Sequence, residues 1–186
     1  KEEVMTMRIK AADTMALIVD YQESLMKVMY QGEELEKKAG TLIRGMKTLG
    51  IPMVITQQYT KGLGKSVDTI YEAAETQEYM DKMTFSCYKD EKIADVIDRS
   101  GKKNIIICGI ETHICVLQTC IDLKAAGYQP VLVTDCVSSR SKSDKETGIQ
   151  RAIQEGVLVT SCESILFELL ERAGSETFKK ISKLIK

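Results

Sequence analysis

Histidine occurs once in this chain of 186 residues, at position 113. That scarcity excludes a histidine-rich metal site and any mechanism needing two histidines. Tryptophan is absent, there are only 2 prolines, and aromatic residues make up 5%. No stretch rich in proline, glycine or serine reads as a linker or a disordered arm. No apolar run approaches the roughly 18–20 residues needed to cross a bilayer, so no membrane partner is expected. Neither charge sign dominates: 26 basic and 27 acidic residues give a net charge of −1. They are mixed along the chain with no basic stripe, which argues against nucleic acid as a partner. Residues Lys1 to Lys10 are charged and lack the apolar centre of a secretory leader. The expectation is therefore a cytoplasmic, reducing location. The 6 cysteines include no CxxC pair, so neither a zinc ribbon nor a redox dithiol is indicated by spacing. Nothing in the sequence asks for a metal or another cofactor.

What is present is alternation. Hydrophobic residues make up 44% of the chain, enough for a sizeable core in one domain spanning 1–186. Met15–Val19 reads as a buried strand ending at Asp20, and Glu33–Leu49 as a helix with Leu35, Ala39, Leu42, Ile43, Met46 and Leu49 on one stripe. Pro52–Thr56 reads as a strand. Asp90–Arg99 reads as a helix with Ile93, Val96 and Ile97 inward. Asn104–Cys108 is a continuous apolar run of the kind covered on both faces. A helix from about His113 to Ala126, a strand at Pro130–Thr134, a helix at Lys142–Glu155 and a strand at Val157–Thr160 follow. The tail from Glu163 reads as one or two amphipathic helices. Such alternation predicts an α/β fold of three layers, α/β/α, around a mostly parallel sheet. In these sheets ligands bind beyond the carboxyl ends of the strands.

Asp20 and Cys115 fall at that edge. Cys115 lies in the first turn of the helix that begins after Gly109, with Thr112 as the expected N-cap. Unpaired N–H groups and the helix dipole there favour a thiolate and an oxyanion. Lys82, if near, lowers the thiol pKa further, and Asp20 accepts and returns the proton. His113 is a rival base, but residues two apart on a helix point to different faces. Each residue also has a plain reading: a turn-forming Asp, a solvated Lys, a packed Cys.

The segment Gly109-Ile110-Glu111-Thr112-His113-Ile114-Cys115-Val116-Leu117-Gln118-Thr119 resembles the nucleophile motif of the isochorismatase-like cysteine hydrolases. This superfamily includes nicotinamidases and N-carbamoylsarcosine amidase. Leu17-Ile18-Val19-Asp20-Tyr21-Gln22, Lys82 before Thr84-Phe85-Ser86, and Asp135-Cys136-Val137-Ser138-Ser139-Arg140 also match. The resemblance runs from about Thr14 to Leu170. It implies a Rossmann-like sheet of roughly six strands, one of them at Tyr79–Lys82, and a triad of Asp20, Lys82 and Cys115. It also implies a cis peptide between Ile110 and Glu111, and an oxyanion hole from the N–H groups of Glu111 and Cys115. Nicotinamidases carry an Asp-x-His metal motif after the second strand. Here that place reads Gln57-Gln58-Tyr59-Thr60-Lys61-Gly62-Leu63-Gly64, so no metal is carried over. This stretch is more similar to the subgroup of isochorismatase domain-containing proteins.

The expectation is a cysteine-dependent hydrolase of a small amide or related C–N substrate. Gln22, Gln57, Tyr59 and Phe85 are pocket candidates by position. The alternatives are a non-catalytic binding protein on the same fold and a thiol redox sensor using Cys115. A homo-oligomer is expected, partly from the resemblance and partly from Leu25, Met26, Met29, Leu166, Leu169 and Leu170 as apolar stripes available for association.

Overall fold

The computed structural model describes residues 7–186. Most of the charged segment read above as lacking a leader, residues 1–6, lies outside them. In chain order the elements are β1 (Thr14–Val19), α1 (Glu23–Met26), α2 (Gly32–Thr48), β2 (Met53–Gln58), α3 (Thr60–Leu63), α4 (Asp68–Ala74), β3 (Met80–Lys82), α5 (Glu91–Ser100), β4 (Asn104–Ile110), α6 (Leu117–Ala125), β5 (Gln129–Ser138), α7 (Lys142–Gln154), β6 (Leu158–Thr160), α8 (Cys162–Leu170) and α9 (Glu176–Ile185). The six strands form one sheet in the order β3-β2-β1-β4-β5-β6. Every pairing is parallel.

The chain lays β2 and β3 on one side of β1, then crosses to place β4 on the other. The order therefore reverses between β1 and β4, and in sheets of this kind ligands bind beyond the carboxyl ends at that reversal. These two strands are the most apolar, and every residue of both is buried. Alternate residues feed two separate cores, as the two-residue strand period requires. Ala16, Ile18, Ile55, Ile106 and Val131 pack against α2, α4, α8 and α9. Met15, Leu17, Val19, Ile105 and Ile107 pack against α5, α6 and α7.

Several boundaries differ from the sequence expectation. β4 continues past Cys108 to Ile110, because Gly109 extends the strand instead of turning it. Gly109 has φ +134, and a Cβ there would lie 2.1 Å from the Val19 carbonyl oxygen. Only glycine lets β4 and β1 approach this closely at their ends. β5 reaches Ser138, with a shift of register against β4 between Ile107 and Gly109. In α5, Ile93 and Ile97 are buried but Val96 is exposed. At 3.6 residues per turn Val96 sits about 80° from the centre of their stripe. Of the apolar residues read as free for association, Met26, Met29, Leu166 and Leu169 are buried in the core, and Leu25 and Leu170 pack against it. They are spent within the chain, so they give no argument for an oligomer. Among the described residues, no helix is long and apolar enough to cross a membrane.

Candidate active site

Asp20 follows β1 in a left-handed conformation, φ +53, which turns the chain out of the sheet. Its backbone N–H donates to the Thr56 carbonyl of β2 at 3.1 Å. The carboxylate is buried at 1% exposure and bonded on both oxygens. Oδ1 accepts from Thr56 Oγ1 at 2.9 Å and Oδ2 from Lys82 Nζ at 2.9 Å. Lys82 ends β3 and is equally buried. Its ammonium donates also to Gln58 Oε1 at 2.5 Å, the Phe85 carbonyl at 2.9 Å and the Thr84 carbonyl at 3.1 Å. An ammonium has three protons, so these four acceptors occupy it fully. Burial alone would depress the Lys82 pKa, but attraction from Asp20, Cys87 and Cys115 outweighs it and the pKa stays raised. Lys82 is charged, and its direct partner is Asp20.

Cys115 comes from the far side of the switch. Beyond β4 the Ile110–Glu111 peptide is cis. A single widened turn, Thr112–Val116, follows before α6 begins. Its five-residue bond runs from Val116 N–H to the Glu111 carbonyl at 3.2 Å. Wide turns of this kind recur at functional sites. The N-cap is Glu111, not Thr112 as the spacing suggests. Gly148 of α7 packs directly on Thr112 and His113, and the Thr112 hydroxyl is buried without a partner among the described residues. Thr119 Oγ1 donates to the Cys115 carbonyl at 2.6 Å and accepts from Cys87 N–H at 2.9 Å.

The Cys115 thiol lies near enough to the Asp20–Lys82 pair to feel both charges. Its pKa is pushed up to about 12 by burial and by the Asp20 charge, against a smaller lowering from Lys82. The sequence alone suggests a depressed thiol. Lys82 is instead committed to Asp20, and the cysteine rests as a neutral thiol beside a carboxylate. Cys115 is 7% exposed, the most accessible of the 6 cysteines, and all are free thiols.

His113 points elsewhere. Its Nδ1 is 2.8 Å from Ser139 Oγ and its Nε2 is 3.8 Å from Asp144, so the ring ties this turn to the loop after β5. The same loop holds Glu111, whose carboxylate accepts from Arg140 N–H at 3.1 Å and Nε at 3.0 Å. Among the described residues the Glu111 backbone N–H has no acceptor.

The pocket candidates divide. Gln22 is fully buried; its amide donates to the Gln58 and Gly64 carbonyls and accepts from Gln58 N–H. Gln57 is fully buried; it accepts from Ser66 and Tyr71 and donates to Thr60. Both amides are consumed in holding the loop after β2, so neither faces a ligand. Tyr59 and Phe85 are exposed, and Phe85 also supplies the carbonyl that holds Lys82. Gln58, Thr56 and Cys87 border the pair and were not singled out from sequence. Strand alternation was the available signal: Thr56 and Gln58 are two apart on β2, next to both charged strands. Among the described residues no group of three or more His, Cys, Asp or Glu side chains is placed to hold a metal.

Residues 14–164 match the family model described as the isochorismatase domain. The chain belongs to the isochorismatase family. Its sheet and flanking helices are that family's hydrolase fold. It is 36% identical over 183 residues to the secreted isochorismatase effector Isc1 of Phytophthora sojae, covering 96% of this chain and 87% of the relative. It is 32% identical to isochorismatase domain-containing protein 1 of Salmo salar, covering 94% of this chain but 62% of that longer protein. Among solved structures, MAR1 ribonuclease from Caenorhabditis elegans superposes with a TM-score of 0.88 at 32% identity, covering 96% of this chain and 92% of that one.

Proposed function

We propose that this family member is a cysteine hydrolase of a small amide or related C–N substrate, acting as one domain with Asp20, Lys82 and Cys115 as its catalytic residues. The observation that carries the reading is the buried Asp20–Lys82 pair, whose two charges both act on the Cys115 thiol. Asp20 takes the thiol proton as sulfur attacks the carbonyl carbon. The S–C bond forms and the carbonyl electron pair moves to oxygen. That oxyanion is held by the N–H groups of Glu111 and Cys115, the first of which has no competing acceptor among the described residues. As the intermediate collapses the C–N bond breaks and Asp20 protonates the leaving amine. Water then gives its proton to Asp20 and attacks the thioester, the acid leaves, and the proton returns to sulfur. Lys82 keeps the acceptor in place and balances charge through the cycle. The high resting thiol pKa suits this scheme, since the proton moves only when an electrophile is in reach.

The name of the nematode relative offers RNA as a rival substrate. The balanced charge and lack of a basic stripe favour a small neutral amide instead. Incubation with a panel of small amides, following ammonia release, tests the proposal. Turnover that disappears in both Cys115→Ala and Asp20→Asn is expected. RNA cleavage surviving in Cys115→Ala, with no amide turned over, overturns it.

A further inference from the structure

The turn between β4 and α6 is braced from one side. Glu111, just before it, accepts from the backbone N–H and Nε of Arg140 at 3.1 and 3.0 Å. Two residues on, the His113 ring lies with Nδ1 2.8 Å from Ser139 Oγ and Nε2 3.8 Å from Asp144 Oδ2. Both braces reach the stretch between the end of β5 and the first turn of α7. Gly148 seats α7 on the turn, where a Cβ would stand 3.0 Å from the His113 N and Cα. His113 thus sits between Glu111 and Cys115, whose N–H groups are the proposed oxyanion donors.

Ser139 is fully buried, and its hydroxyl has no other partner among the described residues. The His113 side chain is 21% exposed, so protons reach the ring from solvent. Histidine is the side chain that changes charge between pH 5 and 8, and this chain has one. A neutral imidazole donates from one nitrogen, an imidazolium from both. In the imidazolium Nδ1 donates to Ser139 Oγ while Nε2 turns an N–H and a positive charge toward the Asp144 carboxylate.

The elements packed against the turn are β4, α6 and α7. β4 carries no charged residue, and α6 carries Asp122 and Lys124 only in its second half. In α7, Lys142 pairs with Glu146 and Arg151 with Glu155, while Lys145 lines a separate cavity beside Asp135 and Glu163. Burial raises the thiols of Cys108, Cys115 and Cys120, which stay neutral in this range. Glu111 is held by Arg140. Asp144 is the charge that faces the ring, and its Oδ2 otherwise accepts from Ser141 Oγ at 3.0 Å.

We propose that His113 is a positioning residue for this turn, and that gaining a proton draws the turn onto α7 and fixes the oxyanion donors more firmly. The brace stands on the contacts alone; only calling Glu111 and Cys115 donors rests on the hydrolase reading.

The sole imidazole is titrated by NMR from pH 5 to 8. Hydrogen exchange is followed at Ile114 and Val116, whose N–H groups both donate to the Glu111 carbonyl, at 3.1 and 3.2 Å. Their protection factors should rise about two- to fivefold as the imidazole gains its proton, the scale of a part-exposed ion pair. The rise should share the imidazole midpoint, shrink in Asp144→Asn and vanish in His113→Asn. A second arm follows acyl transfer from p-nitrophenyl acetate, with Cys115→Ala as the blank. His113→Ala should lower kcat about tenfold with KM little changed, less than deleting an oxyanion donor costs. His113→Asn keeps a polar group for Ser139 but takes no proton; it should recover most of the loss at pH 8 and little at pH 6. The proposal is overturned if protection at Ile114 and Val116 ignores the imidazole midpoint, or if the rise persists unchanged in Asp144→Asn. The wild-type exchange data decide this even if a variant fails to fold. A wild type inert to the ester, with the coupled exchange intact, counts against the hydrolase reading alone. A reactive wild type whose turn ignores the imidazole counts against the brace alone.

Discussion

Asp20 and Lys82 lie 62 residues apart in the chain, yet their charged ends meet at 2.9 Å with both side chains shut from solvent. Such a pair is costly to break from one side, because the survivor is left charged and buried. Lys82→Met leaves the Asp20 carboxylate with only the Thr56 hydroxyl. A loss of about 3–5 kcal/mol is expected. Asp20→Asn leaves Lys82 with three neutral oxygen acceptors, so its loss should be smaller. Urea unfolding of the two variants checks the order.

The two substitutions should push the Cys115 thiol in opposite directions. The Asp20 charge and hydrogen bond raise its pKa, and Lys82 lowers it. At a pH below the pKa, lowering that pKa by one raises the thiolate fraction about tenfold. Asp20→Asn should therefore speed iodoacetamide labelling of Cys115 at pH 8, and Lys82→Met should slow it. In the wild type, labelling should climb with pH without a plateau below pH 10. Equal rates in all three proteins would contradict the described coupling.

Buried thiols also set the alkaline limit of stability. Burial pushes Cys87 to about 11 and Cys108 to about 12, from an ordinary value of 9.0. Cys115, Cys120 and Cys136 are raised as well. A thiol with a raised folded pKa stabilises the fold fully below the unfolded value. That contribution is lost as pH climbs from about 9 through the folded values. Each thiol that ionises only on unfolding costs about 1.4 kcal/mol per pH unit in that window. Urea midpoints should be flat from pH 7 to 8.5 and fall steeply above 9.

Gly109→Ala should abolish folding or cost about 3 kcal/mol or more. The added methyl meets backbone on β1, which cannot swing aside as a flexible side chain does. Loss of soluble protein or a much lower Tm is the expected result; a variant as stable as the wild type would be at odds with the close approach of β4 to Val19.

Amide turnover should survive prolonged exposure to EDTA. The end of β2 presents Gln57 and Gln58, and both amides are already spent on Ser66, Tyr71 and Lys82. Turnover lost to the chelator and restored by zinc would contradict this.

The layered α/β architecture was legible because β1 and β4 are uninterrupted apolar runs and α2 carries a clean stripe, whereas the count of six strands, with β3 among them, came from the family resemblance. Asp20, Lys82 and Cys115 were legible by motif. Their electrostatics were not, because a thiol pKa depends on which partner claims the lysine, and four oxygen acceptors from scattered positions do so. Gln22 and Gln57 misled for a related reason. A glutamine at a strand end is suited equally to a ligand and to a loop, and only its partners decide. The strand through Gly109 was missed because glycine usually marks a turn, whereas here it marks a close crossing of backbones.

The placement of β1 between β2 and β4 has a consequence for the nascent chain. Its partner on one side begins at Met53, but Thr14 meets Asn104 only across 90 residues. During synthesis β1, β2 and β3 can pair, and Asp20 can find Lys82, while the other edge of β1 still has no neighbour. Met15, Leu17 and Val19, which end up in the second core, are uncovered on that face until α5 and β4 leave the ribosome. Such an open apolar edge is a natural substrate for chaperones and a nucleus for aggregation. Nascent chains stalled before Asn104 should therefore be the ones that chaperones retain, and release should follow once Ile110 has emerged.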